Sequence, residues 1–296
     1  MSQSKFILAL CQHASPENAS KDAIFAVFER QAREAAAKGA KLIVTQELFL
    51  AWYFCQGLDE SRFGYAETIP GPSSQKVAAL AKELKVTIHA SLYEKAADGL
   101  YFNTSVTFGP DGALLGTYRK MHIPHDPRFE EKYYFAPGDL GFQCQETPVV
   151  KLGPLVCWDQ WYPEAARATA LKGAQLLAYP TAIGYYNDPV KGEPPATRAA
   201  QREAWITAMR AHAIANGVFV CAPNRVGAER ELTFWGSSFI CGPDGVIMAQ
   251  GSETKEEVVM AEIDLSRIEA LRRGWPFFRD RRVDAYGGLL KRWEGK

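Results

Sequence analysis

No uncharged apolar run in this 296-residue chain approaches the ~18 residues that a bilayer-spanning helix requires. Net charge is missing as well. The 34 basic residues stand against 34 acidic ones, which removes the electrostatic case for nucleic acid or an anionic membrane surface and leaves a small-molecule partner as the expectation. Cysteine is sparse and unpatterned: Cys11, Cys55, Cys144, Cys157, Cys221 and Cys241 share no short repeated spacing. Neither a zinc knuckle nor a disulfide framework is indicated, and free, mostly buried thiols are expected. Met1 to Lys5 followed by the short run Phe6 to Cys11 lacks the layout of a signal peptide. The expectation is a soluble, cytoplasmic chain.

What is present is an ordinary globular composition, 47% hydrophobic and 23% charged, with enough length for one large domain or two smaller ones. Asn18 to Lys38 is rich in Ala, Glu, Lys and Arg with apolar Ile24, Val27 and Phe28, and so predicts an amphipathic helix stopping at Gly39. Lys41 to Thr45 then predicts a strand. Pro163 to Lys172, Gly173 and Gln175 to Tyr179 repeat that plan.

The repetition keeps a register. Lys38-Gly39-Ala40-Lys41 precedes Lys172-Gly173-Ala174-Gln175, and the turn Gly109-Pro110-Asp111-Gly112 precedes Gly242-Pro243-Asp244-Gly245, each at nearly one spacing. The predicted strands Val86 to Ala90 and Val218 to Ala222 fall in the same register. Two similar halves follow, each alternating helices with short apolar strands. Packed sheet to sheet, they predict a four-layer α-β-β-α sandwich of the α/β class, with residues 1–296 as a single domain.

Cys157 lies where an apolar strand gives way to a helix, in Pro154-Leu155-Val156-Cys157-Trp158-Asp159-Gln160-Trp161-Tyr162-Pro163-Glu164. Backbone N–H groups at such a bend favour an anion, which predicts a thiol that ionises readily. A histidine-assisted nucleophile, a redox cysteine and a buried structural cysteine all fit that position. Of the five histidines, His89 and His212 sit in apolar or helical contexts, whereas His122 and His125 fall in a loop and stay open as bases. Glu47, in Val44-Thr45-Gln46-Glu47-Leu48-Phe49, follows a buried strand; it is either a desolvated base or a strand-end carboxylate in solvent. Lys120 closes the run after the first Gly-Pro-Asp-Gly turn, as an oxyanion-holding cation or a surface lysine.

Glu47, Lys120 and Cys157, in this order and with these surroundings, resemble the Glu-Lys-Cys triad of the nitrilase superfamily of carbon-nitrogen hydrolases. The resemblance runs from Leu8 to the tail Arg273-Gly274-Trp275-Pro276-Phe277-Phe278-Arg279-Asp280-Arg281-Arg282, with a C-terminal extension from about residue 274. It implies Glu47 as general base, Lys120 as the oxyanion lysine together with the Trp158 backbone N–H, and Cys157 as nucleophile. Glu131, in Phe129-Glu130-Glu131-Lys132, corresponds to a supporting glutamate. The strings Cys157 to Arg167 and Tyr179 to Gly184 are similar to the branch that acts on N-carbamoylputrescine, a ureido compound with an ammonium tail.

For that tail the expected pocket residues are Trp158, Tyr53, Asp126, Thr181, Ala182 and Tyr185. Gln160 and Trp161 stand where carbamoyl-amino-acid amidases carry a carboxylate-clamping arginine. The resemblance implies no metal, no organic cofactor and a homo-oligomer. It leaves a β-ureido acid, an N-carbamoyl amino acid, an ω-amide or a nitrile as alternative substrates, and a catalytically silent scaffold as the alternative class. The irregular polar loop Tyr185 to Pro195 does not match the branch.

Overall fold

A computed structural model describes residues 4–187 and 194–295. In chain order the first half contains β1 (Lys5–Gln12), α1 (Lys21–Ala37), β2 (Ala40–Val44), α2 (Pro72–Leu84), β3 (Thr87–Ala97), β4 (Leu100–Phe108) and β5 (Leu114–Arg119). A short helix, α3 (Glu131–Tyr134), leads into the second half. There follow β6 (Gln145–Glu146), β7 (Lys151–Pro154), α4 (Pro163–Leu171), β8 (Leu176–Ala178), β9 (Gly184–Tyr186), α5 (Pro195–Asn216), β10 (Phe219–Ala222), β11 (Val226–Glu229), β12 (Leu232–Trp235), β13 (Phe239–Cys241) and β14 (Ile247–Gln250). The long strand β15 (Glu257–Asp264) returns to the first sheet, and α6 (Ser266–Gly274) follows it.

The two six-stranded sheets have the orders β15-β1-β2-β3-β4-β5 and β6-β7-β8-β10-β13-β14. Pairing directions match position by position. In each sheet an antiparallel edge strand is followed by three mutually parallel strands and then by two antiparallel ones. The expected duplication is therefore present as topology.

Because side chains alternate across a strand, one parity of each sheet meets the other sheet and the opposite parity meets helices. Leu8, Leu10, Leu42 and Val44 pack against Leu152, Leu176, Ala178, Phe219 and Ile240 between the sheets. Ala9, Cys11, Ile43 and Ile88 pack under Phe28 and Ala32 of α1 and Val77 and Leu80 of α2. Leu177, Val220 and Ala222 pack under Ala166 of α4 and Trp205 and Met209 of α5. These clusters make four layers, helix, sheet, sheet, helix. Ser20 caps α1 by accepting from the Ala23 N–H at 3.1 Å, and glycines just past α1 and α4 turn the chain into the next strand. Gly39 and Gly173 do so at φ +90° and +101°, where a β-carbon is disfavoured.

Two features depart from the sequence reading. β3 runs to Ala97 rather than Ala90, because it continues as a hairpin with β4. Tyr185 and Tyr186, expected in an irregular loop, lie in β9, which joins β11 and β12 in a small three-stranded sheet. Residues 188–193 of that loop lie outside the described residues. No helix among the described residues is long and apolar enough to cross a membrane.

Candidate active site

β2 and β5 run the same way in one sheet, as β7 and β8 do in the other, and the residues just past their C-terminal ends gather on one rim, the usual place for chemistry in such sheets. Glu47 follows β2 and Thr181 follows β8. The Glu47 N–H donates to the Thr181 carbonyl at 3.3 Å, joining the two halves at the site. Lys120 follows β5, and Cys157 follows β7 at the first position of a short 3₁₀ turn, Cys157–Trp161.

Cys157 adopts φ +40°, a strained conformation for a non-glycine residue. Its own N–H donates to the Pro180 carbonyl at 2.9 Å, and the Asp159 carboxylate accepts the Val156 N–H at 3.0 Å. These bonds hold the turn so that the sulfur faces the rim.

Glu47, Lys120 and Glu131 are each fully buried. Lys120 Nζ donates to Glu47 Oε1 and to Glu131 Oε2, both at 2.7 Å. Asn103 Nδ2 donates to the same Glu47 oxygen at 2.7 Å, which leaves Glu47 Oε2 without a partner among the described residues. Burial opposes the Lys120 ammonium, yet the Glu131 and Glu47 carboxylates outweigh it and hold Lys120 well above the ordinary lysine range. Burial pushes Glu131 up to about 7 against the pull of Lys120, with the Glu47 charge adding to the rise.

The thiol differs from its expected behaviour. Burial and the Glu47 carboxylate push Cys157 well above the ordinary thiol range, with Lys120 and a hydrogen bond from the Ala182 main chain only partly offsetting them. The readily ionised thiol expected from the strand-to-helix bend is thus corrected: burial first, and the nearby Glu47 carboxylate second, outweigh what the short turn and Lys120 supply.

Cys157 opens onto a cavity of about 320 Å³. Of the expected pocket residues, Trp158, Asp126 and Ala182 line it, together with Glu131, Phe129, Gln160, Trp161, Tyr186, Gln201 and Trp235. Tyr53, Thr181 and Tyr185 do not. Tyr53 is fully buried behind Glu131, to which its hydroxyl donates at 2.7 Å. The Thr181 hydroxyl is turned onto the Tyr179 carbonyl at 2.7 Å. Tyr185 packs on Trp235 with ring centroids 4.7 Å apart, because the alternation of β9 sends Gly184 and Tyr186, not Tyr185, to the cavity.

Among the histidines, His89 bonds Thr107 and His212 bonds the Gln160 carbonyl, both at 2.8 Å. His122 is held by Asp159 at 2.7 Å and stacks on Tyr162. His125 is half exposed beside Glu130. Among the described residues none of the four is bonded to Cys157, and no group of three His, Cys, Asp or Glu side chains is placed to hold a metal ion. Asn103 and Tyr186 escaped the sequence reading. An asparagine inside the buried strand β4 was the available signal for the first, and the strand period at β9 for the second.

An unpaired carboxylate oxygen, a buried ammonium and a protonated thiol beside a solvent-open cavity can together transfer a proton, stabilise an oxyanion and form an acyl intermediate. The sequence profile of the carbon-nitrogen hydrolase family matches residues 7–273, and the chain belongs to that family. It is a hydrolase acting on amide or ureido carbon-nitrogen bonds. The N-carbamoylputrescine amidase of Solanum lycopersicum is 44% identical over 292 residues, covering 96% of this chain and 94% of the relative. The citrullinase of Francisella tularensis is 37% identical, covering 90% and 93%. The crystal structure of a carbon-nitrogen hydrolase from Helicobacter pylori G27 superimposes with a TM-score of 0.93 at 45% identity, covering 98% of this chain and 100% of that one.

Proposed function

We propose that this enzyme hydrolyses N-carbamoylputrescine to putrescine, carbon dioxide and ammonia through a covalent intermediate on Cys157, and so serves polyamine formation. The observation that carries this reading is the cavity lining. Asp126 and the faces of Trp158, Phe129 and Tyr186 suit an ammonium tail, and among the described residues no lysine or arginine lines the cavity to bind a carboxylate. Relatives of that name at 42–44% identity support it.

In the proposed sequence Glu47 Oε2 takes the thiol proton as sulfur attacks the ureido carbonyl. The oxyanion is held by Lys120 Nζ and the Trp158 N–H. Collapse breaks the bond to the terminal nitrogen, which leaves as ammonia with the proton returned by Glu47. Water activated by Glu47 then cleaves the S-carbamoyl bond, and the released carbamic acid decomposes to carbon dioxide and the diamine. Glu131 and Tyr53 hold Lys120 in place.

Ammonia release across a substrate panel tests the reading. Turnover of N-carbamoylputrescine, with little turnover of citrulline, β-ureidopropionate or N-carbamoyl amino acids, is expected; activity confined to the carboxylate-bearing compounds would overturn it. We also propose a homo-oligomer in which the extension beyond Gly274 is an interface element. Trp275, Phe277, Val283, Tyr286 and Leu289 are exposed there. Deletion of residues 275–296 should lower the oligomer mass in light scattering, and an unchanged mass would exclude that role.

A further inference from the structure

Leu48, next to Glu47, adopts φ +46°. Such a conformation is strained for a non-glycine residue and persists only where surroundings enforce it. The Ser91 hydroxyl accepts the Leu48 N–H at 3.0 Å, and the carbonyls of this turn are held by Arg225, a fully buried residue between β10 and β11. Its Nη2 donates to the Glu47 carbonyl at 2.7 Å and the Leu48 carbonyl at 3.3 Å, and its Nη1 donates to the Ala51 carbonyl at 3.2 Å. Nη1 also meets both oxygens of buried Glu229, at 3.0 and 3.1 Å. Glu229 in turn accepts the N–H of Tyr53.

These contacts close a ring. From Tyr53 the path runs through its hydroxyl to Glu131, through Glu131 to Lys120, and through Lys120 back to the Glu47 carboxylate. Both ends of the Glu47–Tyr53 segment are thus tied to one ion pair that does not line the cavity. A buried pair is weak as a source of stability, since apolar replacement of such pairs is often neutral. Its acceptors here are main-chain carbonyls of the turn that carries Glu47, and a guanidinium fork suits several acceptors in one plane where an ammonium does not.

We propose that Arg225 and Glu229 are positioning residues that set the Glu47 and Glu131 carboxylates at their working distance from Lys120 and Cys157. The inference rests on the reading of Glu47 and Glu131 as members of the catalytic group. Arg225→Lys keeps the charge opposite Glu229 but cannot bridge it to three carbonyls. A misplacement of about 1 Å can cost about a hundred-fold, so kcat should fall by about that factor while KM stays within about two-fold. Glu229→Gln, which keeps an acceptor for Tyr53 but weakens the hold on Arg225, should lower kcat by about ten-fold.

The experiment measures kcat, KM and thermal melting for wild type, Arg225→Lys, Glu229→Gln and Glu47→Gln. Folded Arg225→Lys and Glu229→Gln proteins with kcat within about two-fold of wild type would overturn the inference, as would a loss confined to KM. If Arg225→Lys does not fold, Glu229→Gln decides by the same kcat criterion. Glu47→Gln separates the two readings. If it is fully active, the catalytic reading itself fails; if it is inactive while the other two are unimpaired, only the positioning inference fails.

Discussion

At the residue scale, burial and the Glu47 charge favour the protonated form of the Cys157 sulfur at rest, so that the proposed attack calls for a base. Thiolate ultraviolet absorbance should therefore not differ between wild type and Cys157→Ser at pH 7; a deficit of one thiolate in the variant would contradict this. Asp126 is the carboxylate of the cavity lining that lies apart from the Glu47–Lys120–Glu131 cluster. Asp126→Asn should raise KM for N-carbamoylputrescine roughly ten-fold and leave kcat nearly unchanged, while an uncharged N-carbamoyl-butylamine should be unaffected. Equal effects on both compounds would remove Asp126 from tail recognition. That Glu47, Lys120 and Cys157 come together was legible because each stands in a distinctive string. Tyr53 and Tyr185 were misplaced because an aromatic residue near a site in sequence carries no mark of which way its strand or turn presents it.

At the scale of elements, the segments bearing Lys120 and Cys157 are fastened by one carboxylate. Asp159 Oδ1 accepts from the N–H and ring of His122 at 3.1 and 2.7 Å, and Oδ2 accepts from the Tyr118 hydroxyl at 2.8 Å and the Val156 N–H at 3.0 Å. Tyr118 and His122 flank Lys120, and Val156 precedes Cys157, so the fully buried Asp159 joins the end of β5 to the end of β7. Asp159→Ala would strand several buried donors. It should lower unfolding free energy by roughly 3 kcal/mol in urea titrations, and a change below about 1 kcal/mol would contradict that account. Such a brace, like the Arg225–Glu229 pair, is hard to read in a sequence. Charged residues in short connections ordinarily face solvent, and only the packing of two sheets buries these.

For the whole molecule, the glycine-ended helices and the paired Gly-Pro-Asp-Gly turns made the duplicated plan legible before the structure. The small rim sheet was not, since its strands are short and β9 is far in sequence from the β11–β12 hairpin that it joins. Burial in the sandwich also sets an acid response. His13 is lowered to about 4 and His89 to about 3, both by burial, against an ordinary value of 6.5. The unfolded chain therefore binds protons first as pH falls below about 6.5, and the stability each neutral histidine contributes above that pH is lost on descending towards its folded value. Glu131, raised to about 7, acts in the opposite sense, its contribution being present at low pH and lost as pH rises through about 7. Between pH 7 and 5, His89→Gln should lose about 2 kcal/mol less stability than wild type in urea titrations; equal losses would contradict a buried neutral His89.

The proposed chemistry stands or falls with a covalent intermediate on Cys157. Mass spectrometry after rapid acid quench of the enzyme with N-carbamoylputrescine reads it most directly. The peptide containing Cys157 should carry the substrate less ammonia in wild type, and the adduct should be absent from Cys157→Ser. An adduct on another residue, or steady turnover by Cys157→Ser, would contradict the account.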